Sequence, residues 1–305
     1  NVKGVCTHKQ WNTKMYKFMQ QITISGFYDE ISNKLSTQIG VLHELGETYM
    51  CPRNVDGKNI ADITDEEAEN CYKRLVAAGI SVWSLGSPMG KVDIDCDFKE
   101  YKVKKVHRLC HLANILHTDK IRMFSFFHAY DEREKVMKYL AEMVKIAAEY
   151  GVTLYHENEK EIYGDTLERV LDIVRSVDGL KFVYDPANFI QCGQDSAKTI
   201  AALFDKTAYF HVKDVIAATQ QLVPAGFGDG NIAEIVRRID PKKEVVMTLE
   251  PHLAVFDGYA QIDNSEMKNK FNYPDNHAAF NAAVSALKDI LAACGYTETA
   301  DGFVK

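Results

Sequence analysis

The chain has 305 residues, is 46% hydrophobic and carries a formal net charge of −7. Its apolar content excludes a disordered or fibrous chain, and its acidic balance argues against a duplex nucleic-acid surface, where a basic face is expected. No run approaches the ~18 consecutive apolar residues of a membrane span, and the seven cysteines are scattered without a Cys-x-x-Cys pair, which reads as reduced, mostly buried thiols in a cytoplasmic protein.

In chain order, apolar strand-like runs are predicted at Val2–Cys6 (a strand rather than a signal segment), Glu47–Met50, Ser81–Leu85, Lys120–Phe127, Thr153–Glu157, Lys181–Tyr184, Thr207–His211 and Glu244–Leu249. Between and after them the helical period predicts Asp65–Ala78, Phe98–Leu116, Glu132–Tyr150, Thr166–Val177, Asn231–Ile239 and Asn276–Cys294. Asp65, Glu66 and Glu67 place negative charge where a helix dipole favours it, and Gly79 and Gly151 stand where helices stop. Eight strands alternating with helices predict an α/β fold with a parallel sheet, and eight is the number that closes a single-domain (β/α)8 TIM barrel. An open doubly wound sheet would favour a Gly-x-Gly-x-x-Gly turn after the first strand, and none is present. Gly26–Glu47 is longer than one helix and is expected to hold an extra turn or loop. The segment after the last strand, about 254–275, carries Phe256, Tyr259 and Phe271. It is expected over the C-terminal mouth, as a lid or as a contact between copies in a homo-oligomer.

In such a barrel, polar residues at the C-terminal ends of strands point into the mouth. Those ends supply Glu157, Asp185, His211 and Glu250, each closing an apolar run on four consecutive predicted strands. Three carboxylates and an imidazole suit one divalent ion: Mn²⁺, Mg²⁺, Co²⁺ or Zn²⁺. Without a cation, three crowded carboxylates would raise one another's pKa. Strand parity extends the candidate site to Glu159, Lys213 and His252. Lys91 and Arg122, from earlier strand ends, add positive charge that would meet substrate oxygens or pair with one of the acids. His8 and Trp11 follow the first predicted strand and could meet a sugar, whereas Trp83 within a strand reads as core.

Several segments carry a family resemblance. His156-Glu157-Asn158-Glu159-Lys160 with Ile162-Tyr163-Gly164-Asp165-Thr166, Tyr184-Asp185-Pro186-Ala187-Asn188-Phe189 and His211-Val212-Lys213-Asp214 are similar to xylose isomerase-like sugar isomerases and epimerases. So are Pro224-Ala225-Gly226-Phe227-Gly228-Asp229-Gly230 and Leu249-Glu250-Pro251-His252-Leu253. Arg53–Asn59, Ser87–Lys91 and Arg122–Phe127 resemble one branch of that superfamily. The resemblance implies a metal on Glu157, Asp185, His211 and Glu250, with Glu157 and Glu250 also acting as the proton-transfer pair beside a substrate carbonyl, through a cis-enediolate. Ketose 3-epimerases of the superfamily often carry histidine three residues after the second ligand; this chain has Asn188, which can still bond a sugar hydroxyl.

The leading expectation is therefore a metal-dependent isomerase or epimerase of a small sugar, keto-sugar or polyol. The same enolising site could instead eliminate a leaving group, as a 3-keto-glycoside lyase or hydrolase. A multi-zinc apurinic endonuclease needs more ligands than four, and a non-catalytic sugar-binding barrel would be expected to have lost one. Asp229 within the glycine loop disfavours a phosphorylated substrate.

Overall fold

A computed structural model describes residues 22–240, 242–262, 266–300 and 302–305 of the chain. Eight parallel strands form its centre: β1 (Ile22–Gly26), β2 (Tyr49–Met50), β3 (Ser81–Val82), β4 (Lys120–Met123), β5 (Thr153–Glu157), β6 (Lys181–Tyr184), β7 (Thr207–Val212) and β8 (Val245–Leu249). Continuous parallel ladders run from β4 through β8 and on to β1. A bond from Cys51 N–H to Gly26 O (2.9 Å) joins β1 to β2, β2 pairs with β3, and Leu85 bridges to Ile121 beside β4. The eight parallel strands thus close on themselves, which is the (β/α)8 barrel expected from the strand count.

The barrel's first strand is Ile22–Gly26. The run Val2–Cys6, expected to fill that place, lies outside the described residues, as do His8 and Trp11. All of this five-residue run is buried except half-buried Thr23, as fits a strand covered on both faces in a parallel barrel.

Every helix expected from periodicity is present, and each differs from expectation only at cap residues. Thr166 caps the start of Leu167–Ser176 through its side chain, for example, and Cys294 closes Asn276–Ala293. The helix over 98–115 runs through a π-helical turn at Lys102–Val106. Four further α-helices were not legible in the period: Leu35–Leu45 within the long first connection, Pro186–Gln191, Ser196–Leu203 and the single turn Tyr259–Ile262. The expected strand Lys120–Phe127 stops at Met123: beyond it the Phe124 and Phe126 N–H groups donate to Met89 and Gly90 carbonyls, and Phe126 (φ 69°) takes left-handed backbone. Among the described residues no helix is long and apolar enough to cross a membrane. The six described cysteines are all free.

Two features close the ends. The C-terminal hairpin, Thr297–Thr299 with Gly302–Val304, pairs with β1 at Ile22↔Phe303, on the side where the strands begin. At the opposite end the chain leaving β8 buries Leu253, Phe256 and Tyr259. It then pairs with the hairpin Asp214–Ile216/Gln221–Val223 through Leu222 N–H to Lys268 O at 2.7 Å.

Gly90 sets the course of the loop that carries Lys91. Its φ is +86°, and a Cβ there would sit 2.0 Å from the Phe124 carbonyl oxygen. Its N–H donates to the Tyr101 hydroxyl at 2.7 Å. Gly90→Ala is expected to cost about 3 kcal/mol through backbone strain and overlap. The check is a lower urea midpoint at unchanged slope; an unmoved midpoint would show that the loop yields freely.

Candidate active site

Inward-facing residues alternate along the strands, and the site is built on that alternation. Val183, Tyr209 and Val246 form a buried cluster with Tyr155 and Trp83 packed against it, so Trp83 belongs to the core. Two residues further along their chains, Tyr155 is followed by Glu157, Val183 by Asp185 and Tyr209 by His211. Four residues beyond Val246 stands Glu250. These four are buried, and each offers a ligand atom within 4.8 Å of all the others; among the described residues they are the one such group of His, Cys, Asp and Glu. Asp185 also caps Pro186–Gln191, its Oδ1 accepting from Asn188 N–H at 2.9 Å. Proline at the first position of that short helix fits this cap.

His211 Nδ1 lies 2.8 Å from Glu157 Oε1 and 3.1 Å from Glu250 Oε2. The remaining carboxylate oxygens face cations. Arg122 Nη1 donates to Glu157 Oε2 at 2.7 Å, and Arg53 Nη1 donates to Glu250 Oε1 at 2.8 Å. Lys213 Nζ lies 3.1 Å from Asp185 Oδ2 and 3.8 Å from Glu250 Oε2. The Arg53 guanidinium also holds Asp29 at 2.9 Å and Glu30 at 3.6 Å.

These ion pairs join five buried carboxylates (Asp29, Glu30, Glu157, Asp185 and Glu250) to three permanent cations. Were all five ionised and both nearby imidazoles neutral, two negative charges would be left uncompensated in a buried place, which is costly. The protonation of the site reflects that excess. Burial alone would lower the basicity of His211, but Glu157 and Glu250 outweigh it and hold the imidazole at about 9. Burial likewise opposes ionisation of Glu157, yet His211 and Arg122 hold its carboxyl down at about 2. Asp185 is pushed up to about 6 by burial, against the pull of Lys213. His252 is held well below its ordinary value by burial and by Lys213.

The donor set fits a divalent ion. Nδ1 of His211 faces the carboxylates, and Asp185 Oδ2 is buried with the Lys213 ammonium 3.1 Å away. A dication placed among these atoms would neutralise those two charges.

Lys91, Arg122, Glu159, Asn188, Lys213 and His252 come to this end of the barrel, while His8 and Trp11 lie outside the described residues. Asn188 Nδ2 donates to Asn158 O at 2.9 Å and reaches Glu157 Oε1 at 3.4 Å, leaving its buried Oδ1 without a partner. Lys91 pairs with Glu159 at 3.1 Å, both largely covered. His252 takes left-handed backbone (φ 48°), its N–H donates to Glu30 at 2.8 Å, and its ring lies between those of Phe256 and Tyr259 at 5.5 Å from each. Arg122, expected to meet substrate or pair with an acid, and Lys213, expected to meet substrate, are both committed to the site's own carboxylates. Sequence reasoning missed Arg53, Asp29, Glu30 and Phe27, whose ring edge meets His211 at 5.3 Å. Three of these follow Ile22–Gly26 directly, so recognising that strand would have placed them at a strand end. Arg53 lies just beyond β2.

The chain belongs to the xylose isomerase-like TIM barrel family, whose model matches residues 41–268. No curated protein matches it by sequence. Among solved structures it is similar to D-psicose 3-epimerase with D-tagatose from Clostridium cellulolyticum H10, at 16% identity and TM-score 0.67 over 89% of this chain and 98% of that one. It is also similar to the probable 3-DHS dehydratase of petrobactin synthesis from Bacillus anthracis, at 17% identity and TM-score 0.65 over 87% and 98%. A third is a xylose isomerase-like TIM barrel protein from Mycobacterium smegmatis in complex with magnesium, at 14% identity and TM-score 0.65 over 91% and 98%. At these identities the likeness establishes the fold alone.

Proposed function

We propose that this chain is a divalent-metal-dependent isomerase or epimerase acting on a small sugar, keto-sugar or polyol. The observation that carries the reading is the buried Glu157, Asp185, His211 and Glu250 set, with ligand atoms within 4.8 Å of one another at the C-terminal mouth of the barrel. The proton-transfer pair is Glu157 and Glu250, which face each other across His211. Bound here, a divalent cation would supply positive charge beside substrate oxygens while a proton leaves the neighbouring carbon.

The chain's own residues divide the rest of the work. Arg122 and Arg53 each fix the outer oxygen of one glutamate, so both carboxylates are ionised and aimed before substrate arrives. The unpartnered Asn188 Oδ1 is placed to accept from a substrate hydroxyl. His252, Phe256 and Tyr259 cover the mouth and exclude water. Epimerase neighbours support this reading, while a dehydratase neighbour keeps elimination in view, because both reactions begin with proton abstraction beside a carbonyl. Product analysis separates them: loss of water or an aglycone marks elimination.

The test is elemental analysis of protein purified without chelator, followed by proton exchange of keto-sugars in deuterated solvent. About one equivalent of Mn, Co, Mg or Zn with exchange at a carbon next to the carbonyl is the expected result. Absence of metal, with none taken up on addition, would overturn the reading.

Metal uptake should also be linked to pH. A proton on His211 competes with the ion for Nδ1, and that proton is held until about pH 9. Mn²⁺ affinity is therefore expected to rise about tenfold per pH unit from neutrality to about pH 9 and then level off, with about one proton released per ion bound at pH 7.5. Titration calorimetry in buffers of different ionisation enthalpy counts that proton; no release would place His211 outside the ligand set.

A further inference from the structure

We propose that the substrate is uncharged, and that Asp214 is a specificity-determining residue that fills the barrel's anion-binding corner with a carboxylate of the protein's own. The inference rests on the metal-site reading for where substrate sits, and adds the charge class of that substrate.

Barrels of this kind frequently bind phosphate on backbone N–H groups of glycine-rich loops after strands seven and eight, next to a short helix. Here the loop 224–230 follows β7 and leads into the short helix Ile232–Arg238. Its three glycine N–H groups turn inward on one side chain, joined by that of Val215, while Phe227 and Asp229 donate to backbone carbonyls. Gly230 and Val215 donate to Asp214 Oδ1 at 2.9 Å each. Gly226 and Gly228 donate to Asp214 Oδ2 at 2.8 and 3.2 Å. Asp214 is 1% exposed, so four donors converge on a carboxylate sealed from solvent.

The glycines are required by that approach. A Cβ on Gly228 would lie 2.4 Å from Asp214 Oδ1, and one on Gly230 would lie 2.8 Å from it. On the outer side of the loop Asp229 is exposed and adds a second negative charge, its Oδ2 accepting from Ala217 N–H at 2.7 Å. An incoming phosphate would find the donors taken and an acid in its path.

The cations near the metal ligands are committed as well. Arg53, Arg122, Lys213 and Lys91 pair with carboxylates at 2.8, 2.7, 3.1 and 3.1 Å. Lys160, half-buried at the rim, is not free either. Among the described residues, then, a substrate phosphate or carboxylate would have to break an existing pair and strand a buried acid. A hydroxyl-rich neutral molecule would not; it needs donors and acceptors such as Asn188 Oδ1.

The experiment follows thermal unfolding of the protein, as purified, during millimolar titrations of inorganic phosphate and of D-fructose 6-phosphate, against sodium chloride at equal ionic strength. Wild type is expected to respond to both no more than to chloride. Asp214→Ala vacates the corner and is expected to melt lower in chloride, then to gain about 5 °C in a saturable response to phosphate. If that variant does not fold in buffer alone, its refolding with and without phosphate reads the same gain. Saturable stabilisation of wild type by phosphate or the sugar phosphate would overturn the proposal. A folded Asp214→Ala that ignores phosphate would remove Asp214 from it. Mn²⁺ uptake measured on the same samples keeps the two readings apart, since wild type that takes no metal refutes the metal site and leaves the phosphate result standing.

Discussion

Glu250→Gln is expected to lose its metal while keeping its fold. The substitution conserves shape but removes a charge from a set in which three carboxylates and His211 converge within 4.8 Å. No cation is stranded by it: Arg53 keeps Asp29 and Glu30, and Lys213 keeps Asp185 at 3.1 Å. Residues that merely support a metal ligand change affinity by roughly 10–100-fold when replaced. Loss of a charged ligand itself should exceed that, with Mn²⁺ affinity down on the order of 10³-fold and deuterium exchange into a keto-sugar reduced at least as far. Elemental analysis and Mn²⁺ titration of variant and wild type side by side, with circular dichroism as the folding control, decide the matter. Full Mn²⁺ binding by the Asp185→Asn/His211→Ala double variant would remove the proposed centre altogether. Two or three zinc ions per wild-type chain would instead bring forward a nuclease-like multi-metal site.

That the four ligands could be read from sequence follows from the barrel's geometry. Each stands at the end of a strand whose apolar run is long enough to recognise, and strand ends in this architecture share one mouth. Thr153–Glu157 is a regular ladder, and Thr207–Val212 is regular from Tyr209 on, past a register shift at its start, so counting by twos to their ends is reliable. The first quarter of the barrel was less legible because its strands barely exist as such: β2 and β3 are two residues each. The true first strand, Ile22–Gly26, was passed over for Val2–Cys6, which hid Phe27, Asp29 and Glu30. Arg53 was visible as part of a family-like segment, but nothing local indicates that it reaches Glu250, 197 residues away. Side-chain pairing was also hidden. Lys213 has the parity and chemistry to meet a substrate, and only the fold reveals that it is committed to Asp185, while for Arg122 the sequence left substrate and acid open and the fold selects Glu157. Asp214 belonged to a recognised motif, yet its hold on three glycine N–H groups depends on how the loop returns twelve to sixteen residues later.

Arg53→Met is expected to destabilise the protein by about 3–5 kcal/mol, the range for breaking a buried ion network from one side. Arg53 is 2% exposed, stacked over Phe27 and Phe256, and bonded to Asp29 and Glu250 at 2.9 and 2.8 Å. Methionine fills much of the volume but leaves three carboxylates facing one another without their cation. In a chain of this size the melting temperature should fall by roughly 10 °C. Arg53→Lys should recover part of the loss, because one ammonium cannot span both Asp29 and Glu250 as the guanidinium fork does. The deficit should also depend on pH. Burial already raises the folded-state pKa of Glu30, with Arg53 the main opposing charge, so without Arg53 it rises further above that of the unfolded chain. Stability is then lost as pH rises through that raised value, so the gap between wild type and Arg53→Met should be wide at pH 8 and narrower at pH 5. Urea unfolding of metal-free samples at the two pH values measures it. An equal gap at both would mean that lost packing, rather than uncompensated charge, accounts for the effect. If the charge reading holds, the same variant should bind Mn²⁺ roughly 10–100-fold more weakly, because Glu250 loses the partner that aims it.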